Sequence, residues 1–277
     1  MPGSTWFYDA ILYIYALSLL FSFSDMATKN RSAKRMGTGL LAFVWLLQTV
    51  FIASRMYEHQ YVPVMTMFEA LFFYCWVLVT ISIMMNFFLK RLDLLVFLVN
   101  VAAFAILAIN IFSDPSVTPI SQQWEARDEL VFIHITLAIA SYAAFMIAAL
   151  LSGMYLFMHR QLKGKRWSAV MTRFPSLDRI EGYTYRAVLI GVPLLIASVA
   201  LGIAKIVLDG DTRLLADAKV LSSLFSIAVY AFYLLQRVTA NQTGPMLAFW
   251  NLAAFTAAVI NFLVFNMYSG FHHWIWM

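Results

Sequence analysis

Cysteine is almost missing from this sequence: Cys75 is the only one in 277 residues. A disulfide framework and a CxxC redox pair are therefore excluded. Charge is scarce too. Asp, Glu, Lys and Arg supply 12% of the chain, where an ordinary soluble domain carries about 25%. P-loops, zinc-type spacings and haem-attachment motifs are absent as well. What remains is apolar, since 62% of the residues are hydrophobic. The few charges sit in short runs between long apolar stretches, which is the pattern of a polytopic helical membrane protein. The net charge of +5 then belongs to loops on one side of a bilayer and is no nucleic-acid footprint.

Eight apolar runs are long enough to span. They cover about Trp6 to Phe23, Gly37 to Ile52 (reaching toward Tyr57), Val64 to Leu89, Leu94 to Phe112, Glu129 to Phe157, Ala187 to Leu208, Val220 to Leu235 and Met246 to Tyr268. The first lacks a basic region before it and an A-x-A-like site after it, so it reads as a retained helix and not as a signal peptide. Ser176, with Asp178 behind it, predicts a short capped surface helix in the loop before the sixth span. Pro193 should kink that span, and Lys205 should snorkel outward. The expected fold is all-α: one eight-helix transmembrane domain over residues 1–277, multi-pass in a cell membrane.

Lysine and arginine set the orientation. With the N-terminus outside, the inner loops hold Lys29, Arg31, Lys34, Arg35, Lys90, Arg91, Arg160, Lys163, Lys165, Arg166, Arg173, Arg179, Arg186 and Arg237. The outer loops hold only Arg55, Arg127, Lys205, Arg213 and Lys219. Both termini are then extracytoplasmic. His59, His134, His272 and His273 all fall at the outer face, and His159 is alone inside.

Four of five histidines at one depth is the main functional signal. Imidazole ligates haem iron, and a haem site also needs an apolar, aromatic slot. His134 opens the fifth span, and its helical face continues through Leu137, Ala138, Ser141 and Tyr142, small near the ring and hydroxylated beyond it. The tail places His272 and His273 beside Phe271, Trp274 and Trp276. Two readings stand on the residues alone: axial ligands with their slot, or interfacial residues of an aromatic belt. His272 and His273 lie about 100° apart if the helix continues, so only one can face inward. His59 is a reserve candidate. Arg127 and Lys219 are outer cations able to pair with carboxylates. Glu69 is an intramembrane carboxylate, read either as a buried hydrogen bond fixing helix packing or as a proton relay. Cys75 should pack.

Several segments together resemble the cytochrome c assembly proteins of the CcsA/CcmC type, a membrane haem-handling family. IHITLAIASYAAF (133–145) is similar to its H-x-x-x-x-x-x-SYAA segment, and FEALFFYCW (68–76) to YESL-x-FLSW. FPSLDRIEGYTYRAVLIGVPLL (174–195) resembles PSLE-L-x-YR-x-x-x-GFPLL, and NMYSGFHHW (266–274) resembles GLHSYGW. The resemblance implies haem b held without a covalent bond, with iron ligated by His134 and His272. Two departures stand beside it. The family's tryptophan-rich stretch ending W-D-P-K is here DGDTRLLADAKV, which keeps Asp217 and Lys219 but no tryptophan. The family's YLH-x-R is here YLLQR, with Leu235 at the histidine position. These losses look like the HemX branch, which implies haem transport or sensing and negative control of haem synthesis through glutamyl-tRNA reductase. On that resemblance the partners are haem, the bilayer, and a cytoplasmic enzyme or membrane protein at the inner face. No nucleic acid and no enzyme activity are expected. The alternatives are a component of a system II cytochrome c haem lyase, or a scaffold without haem.

Overall fold

A computed structural model describes residues 4–59, 62–88, 92–113, 129–165, 174–210, 212–239 and 243–263. Every element among them is helical: α1 (Ser4–Thr28), α2 (Arg31–His59), α3 (Met67–Phe88), α4 (Asp93–Ile109), α5 (Glu129–Lys163), α6 (Leu177–Leu208), α7 (Ala218–Val238) and α8 (Pro245–Leu263). Short 3-10 turns follow α4 (Asn110–Phe112) and precede α7 (Thr212–Ala216). All eight α-helices are long and apolar enough to cross a membrane. The all-α multi-pass expectation holds.

The helix ends are set by side chains more than by hydropathy. Asn30 caps α2, accepting from the backbone of Ser32 at 3.0 Å and Ala33 at 3.3 Å. Lys29 takes the left-handed conformation, with φ of 56°, that turns the chain between α1 and α2. Arg31, Lys34 and Arg35 consequently lie inside α2, not in a loop. At the start of α3 the Thr66 hydroxyl accepts from the Glu69 N–H at 3.2 Å. The Glu69 carboxylate reaches back to the N–H groups of Met65 and Thr66, at 3.1 and 3.3 Å. This reciprocal pair is a capping box. Helix α6 corrects another expectation: the surface helix and the sixth span are one element, begun by Ser176 and carrying Pro193 within it. The Ser176 side chain makes no capping hydrogen bond.

The helices fall into two compact units, the first holding α1 to α4 and the second α5 to α8. In the first, α1 packs on α2 and α4, and α3 packs on the same two. In the second, α5 packs on α6 and α8, and α7 packs on the same two. Each is an up-and-down four-helix bundle. The second unit is built on Phe145, Val188, Val192, Leu195, Tyr230 and Leu247, all buried. Cys75 is buried in the first, where it accepts from Gln48 at 3.3 Å.

Candidate functional site

Up-and-down connection brings the N-termini of α5 and α7 to the same end of the second unit as the C-termini of α6 and α8. His134 stands in the second turn of α5, Ser198 and Gly202 near the end of α6, Lys219 in the first turn of α7, and Asn261 in the last turn of α8. The polar side chains that the sequence scatters over more than a hundred positions therefore meet at one end.

The His134 ring is partly buried and lies against α6. Its Nδ1 is 2.6 Å from the Ser198 carbonyl oxygen. A carbonyl only accepts, so this nitrogen carries a proton, and in the neutral ring the lone pair is then on Nε2. The Ser198 hydroxyl donates to the His134 carbonyl at 2.9 Å and lies 3.1 Å from Nδ1. Gly202 makes room: a Cβ there would come within 2.9 Å of the ring's Cε1. Ser141, expected beside a ligand, instead donates to the Ala138 carbonyl of its own helix at 2.7 Å.

Lys219 and Asp217, the two residues kept from the family's loop, both have local work. Asp217 caps α7 by accepting from the Lys219 N–H at 2.8 Å. The Lys219 ammonium donates to the Asn261 carbonyl at 3.0 Å, an unpaired carbonyl type at a helix C-terminus. It also sits 5.8 Å from the centre of the Phe262 ring. Asn261 gathers the rest: it accepts from Ser222 at 2.7 Å and donates to Ser223 at 3.2 Å and to the Tyr142 hydroxyl at 3.3 Å. One imidazole, one ammonium and two aromatic rings, Tyr142 and Phe262 (5.9 Å apart), thus share this end.

His272, His273, Trp274 and Arg127 lie outside the described residues, as does the side chain of His59. Glu69 belongs to the first unit and is the capping residue described above. Among the described residues no group of three or more His, Cys, Asp or Glu could hold a metal ion, whereas haem iron asks for one or two imidazoles. On that donor set the residues fit one axial position of a haem iron, through an imidazole whose Nδ1 is held by a backbone carbonyl. Sequence reading missed Ser198, Gly202 and Asn261. The first two were legible only as a small-x-x-x-small pair, a mark of close helix approach. Leu235, at the family's second histidine position, is exposed.

At the opposite end Glu181 of α6 pairs with Arg237 of α7. It also accepts from the Gly244 N–H at 3.3 Å, so one carboxylate ties the α7–α8 turn to α6. Gly244, with φ of 90°, needs its missing side chain there. His159 stacks on Tyr155 at this end.

The profile of the family described as "Cytochrome C assembly protein" matches residues 64–273. "Protein HemX" of Brevibacillus brevis is 44% identical over 277 residues, covering 99% of this chain and 100% of that protein. "Protein HemX" of Bacillus subtilis (strain 168) is 38% identical over 264 residues, covering 95% of each. "Cytochrome c biogenesis protein CcsA" of Mesostigma viride is 24% identical over 286 residues, covering 93% of this chain and 92% of that one. With eight apolar helices and these relatives, the chain is a multi-pass membrane protein that belongs to the cytochrome c assembly protein family.

Proposed function

We propose that the protein binds haem b non-covalently at the outer end of its second unit, through His134 and His272. It transports or senses haem there and acts in the negative control of haem synthesis. The observation that carries this reading is the hydrogen bond from His134 Nδ1 to the Ser198 carbonyl, which puts the ring's lone pair on Nε2. An imidazole so oriented is the usual form of an iron ligand. Haem would supply an iron seeking axial nitrogen and two carboxylates seeking cations. His134 serves the first need and Lys219 the second, at charge-assisted strength.

The same reading excludes covalent attachment of haem to a partner protein. The stretch 209–219, DGDTRLLADAK, offers no aromatic ring for a porphyrin to stack on. Control of glutamyl-tRNA reductase would then run through the basic inner face, where Arg179 is exposed on the first turn of α6.

The test is haem titration of purified protein followed by its absorption spectrum. His134→Ala and His272→Ala should each abolish the low-spin bis-imidazole spectrum. If both variants keep it, the site lies elsewhere. In a strain lacking its own haem ligase, this chain alone should leave c-type cytochromes unrestored. Restored cytochromes would make it a ligase.

A further inference from the structure

Ser198 and Gly202 stand one turn apart on α6, and the spacing has a physical consequence. A helix assigns the Gly202 N–H to the Ser198 carbonyl. Because a helical Cβ leans toward the N-terminus, a side chain at 202 would lie over that carbonyl. Glycine leaves it open. A Cβ there would sit 2.9 Å from Cε1, 3.1 Å from Nδ1 and 3.6 Å from Nε2 of His134, so any side chain takes the space the ring uses. The imidazole reaches the carbonyl as a second donor, at the short distance of 2.6 Å. The Ser198 hydroxyl closes the arrangement from the other side by donating to the His134 carbonyl at 2.9 Å. Ser198 is buried, so water does not compete for these bonds.

We propose that Ser198 and Gly202 are positioning residues for His134: they lock the Nδ1-protonated tautomer before any ligand arrives, and they set the electron donation of Nε2 to iron. The second half rests on the haem reading above, and the first half does not. A hydrogen bond at the far nitrogen raises the basicity of a ligating imidazole, which favours ferric over ferrous iron. Loss of this bond should therefore raise the reduction potential and weaken haem binding.

The experiment uses the full-length protein with Ser198→Ala, Gly202→Ala, His134→Ala, and Gly182→Ala as a control in the same helix, where a Cβ meets nothing within 4 Å. Nitrogen-15 spectra of the haem-free protein, with His134 assigned by its loss in His134→Ala, should show a single Nδ1-protonated tautomer. Gly202→Ala should show a tautomer mixture, about tenfold weaker haem binding and a more positive potential. Ser198→Ala, which keeps the backbone carbonyl, should move the same way by less. Gly182→Ala should match the wild type. If Gly202→Ala does not fold, the haem affinity and reduction potential of Ser198→Ala decide, since alanine suits a helix and the variant lacks only the hydroxyl contacts. Folded variants with the wild-type tautomer and potential would reduce the pair to simple helix packing and overturn the proposal. If His134→Ala keeps the haem spectrum while the tautomer behaves as described, the haem reading fails and the positioning stands.

Discussion

Glu69 places its carboxylate at the start of a helix, in the first turn of an apolar span. Measured from Val64 it falls about a turn and a half inside a span, but α3 begins at Met67, and Glu69 occupies its first turn. There its carboxylate meets backbone N–H groups that have no helical acceptor, and the helix dipole favours a negative charge. The fixed hydrogen bond is the role these contacts support. Thr66→Ala should lower the stability of the protein in detergent by about 1 kcal/mol, the ordinary cost of a lost cap. Glu69→Gln, which still accepts, should cost less. Haem binding should be unchanged in both. A Glu69→Gln protein with full thermal stability but altered haem binding would restore the relay. His134 was legible at this scale because an imidazole in an apolar run is conspicuous. Ser198 was not, because its contribution is largely a backbone carbonyl, which every residue has.

Small residues decide how closely α5 and α6 approach. Gly191 of α6 lies against Phe145 of α5, where a Cβ would come within 2.5 Å of Cε1 and 2.8 Å of Cδ1. Phe145 cannot easily yield, since it is buried and stacked on Tyr230 with ring centres 3.8 Å apart. Gly191→Ala should therefore destabilise by about 1 to 3 kcal/mol, the range for overpacking a tight core. Gly182→Ala, in open space on the same helix, should instead stabilise by up to about 1 kcal/mol through helix propensity. Thermal unfolding by circular dichroism separates the two. Equal effects would mean that α5 and α6 pack too loosely at Gly191 for a methyl group to be felt. The existence of all eight helices was readable because backbone polar groups in lipid force helical spans. Their ends were less so. Asn30, Thr66 with Glu69, and Asp217 set three N-termini through local hydrogen bonds, which apolar run length does not register. No proline lies between Ser176 and Arg186, so α6 runs on from surface to span.

Taken whole, the chain separates its chemistry by end. In the second unit the ring of His134, the ammonium of Lys219 and the Asn261 cluster share one end, while Glu181, Arg237 and His159 share the other. The Lys and Arg count assigns the second of these ends to the cytoplasm. That assignment is open to direct measurement, and the molecule makes it convenient. Its one cysteine, Cys75, is fully buried, so an impermeant thiol reagent applied to intact cells should find little native background. Lys163→Cys, at the exposed end of α5, should stay unlabelled until the membrane is opened. Arg213→Cys, exposed in the turn between α6 and α7, should label at once. The reverse pattern would put His134 on the cytoplasmic side. Haem would then be met on the same side as a cytoplasmic partner, and the control of haem synthesis would need no signal across the bilayer. With the expected pattern, the ligand and the partner face opposite compartments. Helices α5 to α8 then become the natural carriers of any message, since each has one end in the cluster around His134, Lys219 and Asn261 and the other at the basic face.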